Sequence, residues 1–282
     1  MQTVHTIAEL RAAVANARKQ GKRIGFVPTM GNLHEGHVTL VREAQKYSEF
    51  TVCSIFVNPT QFGANEDFGS YPRTLAADSE KLAAANLDLI FAPSVDEMYP
   101  DNSQNLVQVI VSGISDLHCG ASRPGHFVGV ATVVSKLFNM VLPDVAMFGL
   151  KDYQQVAVIR RTVKGLNSPV EIIGVTTVRE ANGLAMSSRN GYLTAEEKEK
   201  GALLYKTLQQ TSTELKAGNT NYQQLADSAN KTLAAGGFIP DYYSVVRQED
   251  LLPPTPTDKT LVILAAAKMG KARLIDNLEV NL

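Results

Sequence analysis

Short apolar runs rich in valine and isoleucine recur through the first 177 residues, and longer stretches with leucine, valine or alanine at spacings of three and four separate them. The runs are IGFVPT (24–29), TVCSIFV (51–57), LDLIFAP (87–93), VAMFGL (145–150) and VEIIGVTT (170–177). Helical periodicity occupies about 36–48, 74–86, 127–141 and 153–165 between them. Strand-length runs alternating with helix-length segments are the pattern of a parallel sheet wrapped by helices. A further run, NLVQVIV (105–111), alternates as a half-exposed edge strand or hairpin arm does. The expected class is α/β, with a Rossmann-like, doubly wound domain over residues 1–176.

Beyond that point the pattern changes. REANGLAMSSRNGYL is polar, contains glycine and has no period, which suits a linker or a functional loop. Thr194 and Glu197 are spaced as a capping box ahead of a long helix that stops near Gly218. Asn221 opens a second helix that ends at Gly236 and Gly237. Three strand-like runs follow, DYYSVVR, TLVILAAAK and ARLIDNLEV, with the turn LPPTPTD after the first. Helices followed by strands predict a smaller α+β domain over residues 177–282.

The 282 residues, 44% of them hydrophobic, suffice for one large or two modest cores. A formal net charge of −1 gives no general attraction for nucleic acid or an anionic membrane, so an anion site must be local and the substrate small. Cys53 and Cys119 are too few for a disulfide framework and read as reduced, core-filling thiols. No leader pattern opens the chain and no apolar run reaches membrane-spanning length, so a cytoplasmic location is expected.

Ligands of an open parallel sheet bind beyond the carboxyl ends of its strands. Four of the runs are followed by polar loops: MGNLHEGH, NPTQF, KDYQQ and VREANGLAMSSRN. These loops carry His34, His37, Asn58, Gln61, Lys151, Gln155, Ser187, Ser188 and Arg189, mostly cations and amides, which suit an anionic ligand bearing phosphate and carboxylate groups. His34 and His37 stand three apart where a helix begins, so both rings share one side beside its unpaired N–H groups. Phosphate chemistry, a structural role and metal ligation are all open to such a pair, although no third ligand lies nearby and zinc proteases use a spacing of four. Gly36 would let a base or sugar approach the backbone. Lys151 follows a strand directly, while MSSR offers hydroxyls, amides and a guanidinium. KMGK (268–271) has the lysines of a mobile phosphate loop but lies between two strands, where a hairpin turn explains it better. Arg123 and His126 divide evenly between ligand or subunit contacts and plain loop structure.

The segments PTMGNLHEGH, FVNPTQF, EDFGSYPRT, CGASRPGHFVGVATVVSKLFN, FGLKDYQQ, TVREANGLAMSSRN and RLIDN together closely resemble the pantoate:β-alanine ligase family. They run in the family's order from residue 28 to 277. Asn32 departs from the small residue, usually alanine, that the family carries there. The resemblance implies a nucleotidyltransferase-type fold with the paired-histidine signature shared with class I aminoacyl-tRNA synthetases. It places ATP along Met30, Gly31, Asn32, Leu33, His34, Glu35, Gly36 and His37, along Gly149, Leu150, Lys151 and Asp152, and at Val178, Met186, Ser187, Ser188 and Arg189. It places pantoate at Gln61 and Gln155, with Gln61 also reaching β-alanine, makes His37 the proton donor, and adds Asn58, Lys151 and Arg189 as substrate or phosphate contacts. It further implies a homodimer, a C-terminal lid, and Mg2+ held mainly by the ATP phosphates rather than by protein ligands. The rival readings are another nucleotidyltransferase of the same superfamily and a nucleotide-binding sensor without turnover.

Overall fold

The computed structural model describes residues 1–64, 66–100 and 107–282. Its strands are β1 (Gln2–Val4), β2 (Ile24–Thr29), β3 (Phe50–Ile55), β4 (Leu89–Phe91), β5 (Val145–Gly149), β6 (Glu171–Val175), β7 (Ile239–Arg247), β8 (Thr260–Met269) and β9 (Ala272–Asn281). Its α-helices are α1 (Ile7–Lys19), α2 (Glu35–Ala44), α3 (Leu75–Ala84), α4 (Val95–Met98), α5 (Cys119–Ser122), α6 (His126–Val141), α7 (Tyr153–Gly165), α8 (Ala195–Gly201), α9 (Leu203–Lys216) and α10 (Tyr222–Ala235). The chain divides into two compact units. One comprises Met1–Asp116, Gly120–Leu150 and Val158–Thr176; the other comprises Leu117–Cys119, Lys151–Ala157 and Thr177–Leu282.

In the first unit six strands form a parallel sheet in the order β1-β4-β3-β2-β5-β6. From β2 the chain builds outward through β3 to β4, and then returns to place β5 on the other side of β2. The order therefore reverses between β2 and β5, and a crevice opens at such a point beyond the carboxyl ends. The central strands read as unbroken apolar runs because both faces are covered. Val27, Cys53, Ile90 and Met147 pack with Val38, Val41 and Leu82 on one side, while Phe26 meets Phe138 of α6 at 6.3 Å between ring centroids. Gly25 has to be glycine, since a Cβ there would lie 2.2 Å from the Ser48 hydroxyl.

The second unit holds the antiparallel sheet β7-β8-β9. Leu208 and Leu215 of α9 and Leu225 and Leu233 of α10 pack with Leu261, Ile263 and Ala265 of β8 in its core. KMGK makes the β8–β9 turn, with Met269 paired to Ala272 and Gly270 at φ +53°.

Two expectations need correction, and two elements were not anticipated. Of the strand expected at 105–111, residues 105 and 106 lie outside the described residues and 107–111 are not in a strand. The N–H of Val109 donates to the Thr132 hydroxyl at 2.9 Å, and Val107 and Ile110 are exposed, so the alternation reflects no sheet face. The long helix after Thr194 is two helices, α8 and α9, parted at Ala202. Gly201, a poor helix former, closes α8 where a Cβ would come 3.1 Å from Leu184. Finally, β1 and α1 precede the first run that hydrophobicity identifies. The opening of α1 is a Thr6/Glu9 capping box of the same type as Thr194/Glu197.

Candidate functional site

The loop from β2 to α2 turns through two consecutive left-handed residues, Gly31 (φ +83°) and Asn32 (φ +50°). A Cβ on Gly31 would also stand 3.1 Å from Ile55 and 3.2 Å from Asp78. The turn delivers His34 to the N-cap of α2, where the two imidazoles form a reciprocal cap. His34 Nδ1 accepts from the Gly36 N–H at 3.2 Å, and His37 Nδ1 accepts from the His34 N–H at 3.3 Å. The rings lie 4.1 Å apart between centroids. Since each Nδ1 accepts, the proton of each neutral ring is on Nε2, which makes Nε2–H the donor that either ring presents.

A residue absent from the sequence reading fixes this loop. Asp78 of α3 is wholly buried, at 0% exposure. Its carboxylate accepts the Asn32 N–H at 2.9 Å, the Leu33 N–H at 2.8 Å and the Thr74 hydroxyl at 3.0 Å. Lys81, almost one turn further along α3, donates to the Leu33 carbonyl at 2.6 Å. The available signal was Asp78 itself, a carboxylate four residues before Leu82 on the buried stripe of its helix.

The neighbouring strand β3 leads to Asn58, which caps the 3-10 turn Pro59–Gln61. The Asn58 amide is committed to scaffolding. Its oxygen accepts from the Tyr99 hydroxyl at 2.8 Å and the Thr60 hydroxyl at 3.0 Å, and its Nδ2 donates to Gly129 O at 3.2 Å and Gln61 Oε1 at 3.1 Å. Gln61 Nε2 stands 3.2 Å from Met30 Sδ, so the loops after β2 and β3 meet at this amide. With Gly149 and Leu150 at the end of β5, three adjacent strands therefore send candidate residues to one end of the sheet, flanking the switch between β2 and β5.

In the second unit, Lys151 and Asp152 lie in a 3-10 turn, with Lys151 Nζ 3.7 Å from Asp152 Oδ1. The Lys151 carbonyl accepts from Asn277 Nδ2 at 2.9 Å. Gln155 is half-buried; Gln154 is the structural amide of the pair, bonding the Cys119 N–H and the Leu117 carbonyl. The Met186 N–H bonds the Val178 carbonyl at 3.0 Å, and the Ser187 hydroxyl caps Arg189 N–H at 3.3 Å. Ser188 and Arg189 open the following 3-10 turn. Asn190 ties this loop to Glu180 at 2.8 Å and to the Ala185 carbonyl at 3.1 Å. Beneath it, Arg179 makes a two-pronged pair with Asp276 at 2.6 and 2.9 Å and stacks 3.4 Å from the centroid of the Tyr205 ring. Asp276 also accepts the Asn277 N–H at 2.8 Å, so RLIDN braces both the lysine turn and the serine loop.

Both cysteines are free and buried, and burial pushes the Cys53 thiol up to about 12. Among the described residues no group of three or more His, Cys, Asp or Glu side chains is placed to hold a metal ion. Among them, too, no helix is long and apolar enough to cross a membrane.

A sequence model of the family described as Pantoate-beta-alanine ligase matches residues 2–279. The pantothenate synthetase of Hahella chejuensis (strain KCTC 2396) is 54% identical over 282 residues, covering 100% of both chains. That of Pseudomonas putida (strain W619) is 57% identical, covering 100% of this chain and 98% of its own. Among solved structures, the pantothenate synthetase of Thermus thermophilus superposes with a TM-score of 0.93 at 46% identity over 100% of both chains. The pantoate-beta-alanine ligase of Francisella tularensis, complexed with beta-gamma ATP and beta-alanine, gives 0.81 at 35% identity, covering 99% of this chain and 97% of its own.

Proposed function

The chain belongs to the pantoate-beta-alanine ligase family and condenses pantoate with β-alanine, and we propose that the loops described above divide that reaction as follows. ATP is the co-substrate, as the nucleotide bound to the Francisella relative supports. It lies along Met30 to His37, the turn Gly149 to Asp152, Val178, and the loop Met186 to Arg189. Pantoate binds Gln61 and Gln155, and β-alanine reaches Gln61. Asn58 contributes by holding the Gln61 amide, since its own amide is occupied.

A carboxylate oxygen of pantoate attacks the α-phosphorus of ATP, and the bond from that phosphorus to the pyrophosphate oxygen breaks. Pantoyl adenylate and pyrophosphate result. The attacking carboxylate is already ionised, so no general base is required. Catalysis lies in alignment and in neutralising the charge that builds on the phosphoryl oxygens. His34 and His37 donate to those oxygens from Nε2–H, and Lys151 and Arg189 add positive charge. The free amine of β-alanine then attacks the acyl carbon, the C–O bond to AMP breaks, and the nitrogen releases a proton to solvent. Magnesium would travel with the nucleotide, held mainly by its phosphate oxygens, and would there neutralise phosphate charge. The chain acts as a homodimer in the cytoplasm, with residues 177–282 as a lid domain, and its dimeric state can be read by sedimentation.

The carrying observation is the imidazole pair capping α2, each Nδ1 accepting a backbone N–H, next to the strand-order switch. The deciding experiment is exchange of labelled pyrophosphate into ATP. Exchange that requires pantoate but not β-alanine is expected. Folded, ATP-binding protein without such exchange would refute the adenylate route.

A further inference from the structure

Gln61 is held by its backbone as well as its side chain. His126, the first residue of α6, sets Nδ1 2.8 Å from the Gln61 carbonyl oxygen, and its Nε2 lies 2.9 Å from Nη1 of Arg123. A guanidinium carries only donors, so Nε2 must accept and the ring proton must sit on Nδ1, where it donates to Gln61. This is the opposite tautomer to that of His34 and His37. On its other edge, Arg123 is clasped by Glu66 through Nε and Nη2, both at 2.6 Å.

We propose that Glu66, Arg123 and His126 form a positioning relay for the substrate amide of Gln61. Each link orients the next: the carboxylate fixes the plane of the guanidinium, the guanidinium selects the imidazole tautomer, and the imidazole fixes the carbonyl that ends the 3-10 turn. The other side of that turn is closed by Gly129, whose carbonyl takes the Asn58 amide and where any side chain would meet Thr60 O at 2.4 Å. Gln61 is thus held between the first turn of α6 and the loop after β2. All three kinds of Arg123 nitrogen are engaged within the relay, so the residue supports the site rather than gripping substrate. Neither ring nitrogen of His126 is placed to exchange a proton with a reactant, because one covers a carbonyl and the other a guanidinium.

The relay rests on Gln61 binding pantoate and β-alanine, and the test separates the two ideas. In 15N-histidine NMR spectra of the native enzyme at neutral pH, the His126 signals, identified by their loss in His126→Asn, should show the Nδ1–H tautomer. In kinetics, Arg123→Met, Glu66→Gln and His126→Ala should raise KM for pantoate and β-alanine about tenfold, the loss of one well-placed hydrogen bond. KM for ATP should move by less than about twofold on the same reasoning. His126→Asn, which can return an N–H near the Nδ1 position, should recover most of the His126→Ala defect. An Nε2–H signature at His126, equal damage to ATP and pantoate use, or no advantage of asparagine over alanine would each overturn the relay. If Gln61→Ala leaves pantoate and β-alanine use intact while His126 shows Nδ1–H, the assignment of Gln61 falls and the relay to its backbone stands as structure alone. The tautomer reading is made on unmutated protein and remains decisive should a variant fail to fold.

Discussion

Asn32 lies in the left-handed region, and its backbone explains the choice of residue. At φ +50° it follows Gly31 at φ +83°, and asparagine tolerates this region better than other residues with a side chain. The N–H groups of Asn32 and Leu33 then point into the Asp78 carboxylate. Asp78→Asn replaces one acceptor oxygen with an N–H group facing a backbone N–H. A loss of about 2 kcal/mol in stability is expected from the unsatisfied buried donor, together with slower adenylation as the loop loosens. Unchanged denaturant midpoints would show that the carboxylate does not hold the loop. For His37→Ala, single-turnover adenylate formation should slow about a hundredfold, equivalent to about 2.7 kcal/mol of transition-state stabilisation. A loss under about fivefold would remove His37 from the phosphate site. Glu66 adds a pH signature: burial pushes its carboxyl up, but the hydrogen bond and charge of Arg123 outweigh that and hold it below its usual value of 4.5. A lowered folded pKa gives stability that is complete above the unfolded value and disappears as pH falls through the folded one. The stability advantage of wild type over Glu66→Gln should therefore shrink below pH 4.5. An advantage independent of pH there would count against the ion pair.

At the scale of elements, Gly129 decides how closely α6 can lie on the turn Pro59–Gln61. Helix propensity alone makes Gly129→Ala stabilising by about 1 kcal/mol. The added Cβ would instead meet Thr60 O at 2.4 Å and Gln61 Cα at 2.7 Å, which are backbone atoms that can move only by displacing the turn. Destabilisation of about 2 kcal/mol and a higher KM for pantoate are expected; a raised melting temperature would show that propensity wins. No feature of the sequence near residue 129 announces this contact, because it joins segments about seventy residues apart. What was legible was whatever burial writes locally. The strands β2, β3 and β5 are covered on both faces and so stand out as apolar runs, and the polar loops after them carry the histidines, Gln61 and Lys151. The strand β1 has three residues and leaves almost no pattern. Val107 and Ile110 belong to a run that imitates a strand, yet both are exposed. The supporting residues Asp78, Arg179 and Asp276 were missed as supports since their partners, apart from Thr74, Gly183 and Asn277, lie far off in sequence. The sequence displays the groups that face a ligand more readily than those that aim them.

At the scale of the whole molecule, the two units differ in how far the chain must travel to assemble them. In the first, β2 pairs with β5 through Gly25 and Val145, some 120 residues apart, so the switch that creates the site closes a long loop. In the second, β8 and β9 are joined by a tight turn, and α9 and α10 lie just upstream of the strands they cover. Loop-closure entropy must be met before distant contacts compensate for it, and parallel pairing across such separations is slow. Larger chains also fold unit by unit. In refolding followed by pulsed hydrogen exchange, amides of Thr260–Met269 and Ala272–Asn281 should become protected before those of Ile24–Thr29 and Val145–Gly149. Pantoate-dependent pyrophosphate exchange should return with the later phase, because the imidazole pair is aimed by β2 and its switch neighbour. Simultaneous protection of both sheets would mean that the chain folds as one cooperative body, and activity recovered before β2 and β5 are protected would detach the site from the switch.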